Sequence, residues 1–188
     1  MILKFFGWFF SIKGWKIEGT GIPPHIKKCV VIAMPHTSNW DFVYAMGALR
    51  LFGVRLNYLA KKELFRWPVK SIFTRTGGIP VERQKNTRMV ETITRKFMEE
   101  EKLILAIPVE GTRKRVDKIK TGFYHVAISA GVPLCMAYLD YRTKIAGFSE
   151  PFYPVGNPES DAAFIREFYR DKTGKYPDNF NPDAIKLD

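Results

Sequence analysis

The sequence predicts an α/β fold in which a mostly parallel central sheet is flanked by helices. Two observations carry that expectation. Short continuous apolar runs rich in branched residues, Val30 to Met34 and Leu103 to Ile107, have the length of strands buried on both faces. Between such runs lie segments with helical spacing, clearest from Arg88 to Glu101. There Met89, Val90, Ile93 and Phe97 recur on one side and charges fill the other. A chain of 188 residues with 46% hydrophobic and 26% charged residues has room for one globular domain and excludes wholesale disorder. The two cysteines, Cys29 and Cys135, both sit in apolar runs, so a disulfide framework is not expected and a reducing compartment fits.

The elements follow in order. Residues 1–17 place Phe5, Phe6, Trp8, Phe9, Phe10 and Trp15 among Lys4, Lys13 and Lys16. The uninterrupted apolar stretch is far shorter than the roughly 18 residues that span a bilayer. Aromatics favour the membrane interface and lysines favour anionic headgroups, so residues 1–18 are expected to form an amphipathic membrane-interface segment, an N-terminal interfacial helix. The competing reading is a first helix docked on the protein's own core. Gly19 to Lys28 reads as a loop. A strand over Val30–Met34 ends at Pro35, and a helix follows from Ser38 to Phe52. A second strand covers Arg55–Ala60. Lys62–Arg75 has helical character interrupted by Pro68. Ile79–Val81 is a short strand, and the helix and strand named above come next. Gly122–Ala130 is a helix, Val132–Leu139 a strand and Tyr141–Phe148 an edge-like strand. Asn157-Pro158 reads as a helix cap, with the helix running to about Lys172 and stopping at Gly174. The tail from Tyr176 to Asp188 is expected to be irregular and packed on the surface. Residues 19–188 thus form a single domain.

Thirty Lys and Arg against nineteen Asp and Glu give a net charge of +11. Such a chain expects a polyanion: nucleic acid, anionic lipid or a phosphorylated substrate.

The candidate chemistry sits in loops that follow buried strands, where α/β proteins place their sites. His36 directly follows the first of these strands, and Asp41 falls in the first turn of the next helix. The carboxylate is placed to fold back onto one imidazole nitrogen, fixing the tautomer and leaving the other nitrogen as a proton acceptor. This is the base-and-orienter half of a triad, but no G-x-S-x-G elbow supplies a serine. A base without a nucleophile points to activation of the substrate's own hydroxyl. Gly77-Gly78-Ile79-Pro80-Val81-Glu82-Arg83 delivers an arginine at a strand end. Glu110-Gly111-Thr112-Arg113 offers backbone N–H groups, a hydroxyl and a guanidinium, a set that suits a phosphate. Lys114, Arg115, Lys118 and Lys120 make that region strongly basic. Each element alone also reads as a solvated turn or a surface charge run. His125, inside a helical pattern, reads as packing, and His25 lies in a proline-rich loop. Three dispersed histidines and two isolated cysteines form no metal-ligand cluster in the sequence, so no metal is expected.

His36-x4-Asp41, the block from Gly78 to Arg83, Glu110-Gly111-Thr112-Arg113 and Val132-Pro133-Leu134 occur in one order and spacing. Together they resemble the glycerolipid acyltransferase family that includes the 1-acylglycerol-3-phosphate acyltransferases. Lys61-Lys62-Glu63-Leu64 is similar to the basic K-x-E-L stretch between that family's first two blocks. The resemblance covers about residues 20–150. Pro35 stands where the family usually has Asn, Val109 where it has Pro, and Lys114 where Ser is frequent. The resemblance implies a glycerol-phosphate acyltransferase-like fold and an acyltransferase domain over 19–188. It implies acyl transfer from acyl-CoA or acyl-carrier protein, as co-substrate, to the hydroxyl of a lysophosphatidic acid-like acceptor, with no cofactor. His36 would be the general base and Asp41 its orienter. Lys61, Arg83, Gly111, Thr112 and Arg113 would bind substrate, with Glu110 placed to orient an arginine or a backbone turn. The expected partners are a membrane lipid acceptor and an anionic membrane surface, on the cytoplasmic face of the cell membrane, with peripheral attachment. The alternative is a non-catalytic basic protein that binds anionic membrane or nucleic acid. Against nucleic acid stand the concentration of basic residues in post-strand loops and the lack of a recognised nucleic-acid motif.

Overall fold

In a computed structural model of the protein, residues 2–67, 69–81 and 89–187 are described. Among them seven strands make one sheet: β1 (Lys16–Glu18), β2 (Lys28–Ala33), β3 (Asn57–Lys61), β4 (Gly78–Val81), β5 (Leu103–Ala106), β6 (Leu134–Asp140) and β7 (Ile145–Phe148). Their order across the sheet is β1-β7-β6-β2-β5-β3-β4. The five strands from β6 to β4 are mutually parallel, whereas β7 runs antiparallel to β6 and carries β1 alongside it in parallel. The helices are α1 (Ile2–Ile12), α2 (Trp40–Phe52), α3 (Lys70–Arg75), α4 (Met89–Glu99), α5 (Gly122–Ala130) and α6 (Pro158–Tyr169).

Burial on both faces explains why β2 reads as a continuous apolar run. Val30 and Ile32 join Leu105, Leu134 and Met136 in the main core, closed by Phe97 of α4, Phe123 of α5 and Ile165 of α6. Cys29 and Val31 point the other way, with Ile104, Cys135 and Ile22. This alternation is the strand period of two, and register pins it: Val30 pairs with Leu134 and with Leu105. Gly53 and Gly131 end α2 and α5 in left-handed conformation, with φ of 69° and 63°. Asn157 caps α6 through its side chain, which accepts from the N–H groups of Glu159 and Ser160, and Pro158 opens the helix.

Four elements differ from the sequence reading. β1 was not expected; its residues are all exposed, so no apolar pattern marks it, and only backbone pairing to β7 makes it a strand. β7 is therefore interior to the sheet, and it spans only Ile145–Phe148. Lys62–Arg75 divides into a 3-10 turn, Lys62–Phe65, and the short α3. The tail does not simply cover the surface: Ala184 and Ile185 are fully buried in the main core, and the Ile119 N–H donates to the Ala184 carbonyl at 3.0 Å.

The N-terminal segment has two faces. Phe10 and Trp15 are buried with Ala48, Leu139 and Ala146. Phe5, Trp8 and Ile12 are 54%, 59% and 55% exposed. The docked face depends on Gly47 of α2. A Cβ there would lie 2.6 Å from the Phe10 Cβ and 2.7 Å from the Phe6 carbonyl oxygen. Gly47→Ala is therefore expected to push α1 off α2 and to destabilise the protein by ~1–3 kcal/mol, as overpacking does. A thermal melt checks this; an unchanged midpoint would mean that α1 does not rest on α2 in solution.

Candidate active site

The parallel strands deliver their carboxyl ends to one edge of the sheet. The chain leaves β2 through Pro35 and enters α2 through His36-Thr37-Ser38-Asn39. Asp41 lies in the first turn of α2, where the helix N-terminus favours a carboxylate. It is 4% exposed, and a buried carboxylate needs its lone pairs answered. Oδ2 meets His36 Nδ1 at 2.9 Å and accepts from the Ser38 N–H at 2.9 Å. Oδ1 accepts from the Tyr141 hydroxyl at 2.6 Å. An ionised carboxylate only accepts, so a charged Asp41 calls for the proton on His36 Nδ1 in this contact. The imidazole side chain is 35% exposed, and Nε2 is the nitrogen left to take a proton.

Tyr141 follows directly after β6, and its role was not expected from sequence. Its ring packs edge-on against Trp15 at 4.9 Å and against Tyr44 at 5.8 Å. Burial first, and then the bond to Asp41, raise its hydroxyl well above the ordinary tyrosine range, so it remains a donor. The chain after α6 closes the other side of the loop. The Tyr141 N–H donates to the Thr173 carbonyl at 2.8 Å, and the Tyr176 N–H to the Thr37 hydroxyl at 3.1 Å. Gly174 passes so close that a Cβ would stand 2.7 Å from Thr37 Oγ1. The one advance sign of Tyr141 was its place at the end of a parallel strand.

Glu110 follows β5, the neighbour of β2. It is 8% exposed, and its Oε2 accepts the backbone N–H of His36 at 2.8 Å. It therefore joins the two loops and holds a backbone turn. Burial pushes its carboxyl up to about 7, while the His36 N–H works in the opposite direction. Gly111 has φ of 70°, and a Cβ there would meet Lys120 Cε at 2.9 Å, so both conformation and the lysine stem demand glycine. Thr112, Arg113 and Lys114 are exposed, and Thr112 Oγ1 accepts from the Lys114 N–H at 3.3 Å. Arg115 is engaged elsewhere: it donates to the Phe180 carbonyl at 3.1 Å and so ties this loop to the tail.

Lys61, exposed, ends β3 in register with Val81 of β4. Arg83 lies outside the described residues. His25 is exposed and precedes β2, at the opposite edge of the sheet. His125, read from sequence as packing, is in fact exposed on α5 between the buried Tyr124 and Val126, because helix rotation turns it outward. A cavity of about 330 Å³ lies beside the Glu110 loop, lined by Leu59, Val90, Ile93, Phe123 and Val126, with Gly111 and Lys120 also in its wall.

Comparisons of sequence and of fold lead to one group of proteins. The Acyltransferase family model matches residues 16–139, and the chain belongs to that family. The chain is 30% identical over 143 residues to a 1-acyl-sn-glycerol-3-phosphate acyltransferase from Haemophilus influenzae. That match takes in 71% of this chain and 58% of the relative's length. Among solved structures, the 1-acyl-sn-glycerophosphate (LPA) acyltransferase PlsC from Thermotoga maritima shares the fold. It has a TM-score of 0.62 and 20% identity, over 89% of this chain and 76% of that one.

Two outcomes test the site's construction. The folded protein binds the Glu110 proton more tightly than the unfolded chain does. The resulting stability is complete below the ordinary carboxyl value of 4.5 and is lost as pH rises through about 7. Glu110→Gln keeps an oxygen for the His36 N–H, so it is expected to flatten the fall of the thermal midpoint across that window. A variant that keeps the wild-type slope would place Glu110 in the ordinary range. Tyr141→Phe removes one donor to Asp41 and keeps the ring packing. Acyl-transfer kcat is expected to fall about tenfold, the scale of one lost buried hydrogen bond, with KM for both substrates unchanged. An equal kcat would show that Tyr141 only fills space.

Proposed function

We propose that the protein transfers a fatty acyl chain from acyl-CoA or acyl-carrier protein to the free hydroxyl of a lysophosphatidic acid-like acceptor. The observation that carries this reading is the contact of 2.9 Å between His36 Nδ1 and Asp41 Oδ2, beside loops rich in cationic groups. In the proposed step, His36 Nε2 takes the proton of the acceptor hydroxyl while that oxygen attacks the thioester carbonyl. The tetrahedral intermediate collapses, the C–S bond breaks, and the leaving sulfur takes the proton back from the imidazolium. Atoms and charge balance without a covalent acyl-enzyme and without a cofactor. Asp41 holds the ring in the required tautomer and stabilises the transient imidazolium.

The acceptor's phosphate would be held by Arg113, Arg83 and Lys61, with Thr112 and the Gly111 backbone. Glu110 supports this set from behind by fixing the His36 backbone. The apolar cavity beside Gly111 offers a place for an acyl chain. The exposed side of α1, with Phe5, Trp8 and Ile12, supports peripheral attachment on the cytoplasmic face of a membrane, next to Lys4 and Lys13. No helix among the described residues is long and apolar enough to cross a membrane.

The test is release of free thiol from palmitoyl-CoA in the presence of a panel of lysophospholipids. Release that depends on the acceptor is expected. His36→Ala is expected to remain folded and to lose ~10²–10⁴ in rate, the usual contribution of a general base. Vesicle or nucleic-acid binding with no acceptor-dependent thiol release would favour the non-catalytic reading. Near-normal turnover in folded His36→Ala would remove His36 from the chemistry.

A further inference from the structure

We propose that the turn after β3, carrying Leu64, Arg66, Trp67, Val69 and Lys70, is a second lipid-contacting element that docks on an anionic bilayer beside the exposed face of α1. This rests on the reading that the acceptor is a membrane lipid.

Trp67 is 91% exposed, more than any other large apolar side chain described, and Leu64 and Val69 are each 38% exposed. An indole left in water has an unburied apolar body, and the headgroup region can take up that body while leaving the N–H a polar partner. Arg66 and Lys70, both exposed, flank it, so the apolar tip is framed by cations. That combination matches an anionic lipid surface better than an acidic protein surface, which would leave the apolar side chains in water.

Position supports the same partner. The turn leaves the carboxyl end of β3, at the edge of the sheet where β2 delivers His36 and β5 delivers Glu110. Rings connect it to α1 across one helical layer: Phe65 to Phe73 at 5.9 Å, Phe73 to Phe42 at 5.6 Å, and Phe42 to Phe6 at 6.4 Å. α1 and this turn are therefore linked through Phe42 of α2. Trp40, 47% exposed at the start of α2, lies four positions after His36 in the chain. Interfacial binding grows with the apolar area buried and with attraction to anionic lipid, so a second contact strengthens attachment. Two contacts would also orient the site's edge toward the bilayer.

The full chain is tested with phosphatidylglycerol-containing vesicles. W67S is expected to keep the wild-type thermal midpoint and turnover on a short-chain lysophospholipid dissolved as monomer. It is expected to lose about tenfold in vesicle partition, as for removal of one buried aromatic, and to lose turnover on acceptor embedded in the bilayer. In parallel, a fluorophore sensitive to polarity is attached at W67C; Cys29 and Cys135 are buried. Its emission is expected to shift to the blue on vesicle binding, less so in high salt. A W67S partition within about twofold of wild type, a label that keeps its aqueous spectrum on bound protein, or a wild-type chain that ignores the vesicles would each overturn the proposal. If binding depends on Trp67 but no acyl transfer occurs, the docking surface stands and the acyltransfer reading falls.

Discussion

A carboxylate taken out of water must have its oxygens answered by donors, and Asp41 is the group on which this site depends. Three donors converge on it: the His36 ring, the Ser38 backbone and the Tyr141 hydroxyl. Two of these come from its own loop and set the path between β2 and α2. The third comes from the end of β6 and carries the packing of Trp15 and Tyr44 with it. The imidazole thus takes its orientation from a fully engaged partner, the pre-organisation that the proposed general base requires.

The parallel sheet supplies the rest. β6, β2, β5, β3 and β4 point the same way, so residues more than 100 positions apart arrive at one edge. Glu110 joins the β5 loop to the β2 loop through the His36 N–H, and the chain after α6 closes over Thr37. The cationic groups at Lys61 and in the Glu110 loop stand at this same edge, on strands next to one another. This arrangement explains why the motifs are scattered along the chain: the His36, Lys61 and Glu110 blocks end or follow the adjacent strands β2, β3 and β5.

Much of this was legible in the residues, for reasons of range. β2 and β5 are buried on both faces, so their apolar runs stand out. The His36–Asp41 contact bridges only five positions, and local spacing across a strand-to-helix turn suffices to expect it. Asn157-Pro158 announces a helix by local chemistry alone. Contacts that needed the assembled sheet were not legible. Lys16-Ile17-Glu18 carries no burial pattern and is a strand only because β7 pairs with it. Tyr141 reaches Asp41 across 100 positions, and Ile185 enters the core from a segment with no periodicity. The first helix carries aromatics on more than one face, so its composition fitted both an interface helix and a docked one. The structure shows one face docked and the other exposed.

The chemical proposal turns on which nitrogen of His36 is bare. If Asp41 sets the tautomer, Nδ1 bears the proton and Nε2 is free to accept the acceptor's hydroxyl proton. Nitrogen NMR of the protein with ¹⁵N-labelled histidine reads this directly, with His36 assigned by its loss in a His36→Gln variant. The result expected for the neutral ring is a protonated Nδ1 and an unprotonated Nε2, with that preference lost in Asp41→Asn. A wild-type His36 protonated at Nε2 would contradict the account, because the nitrogen offered to substrate would then have no capacity to act as base.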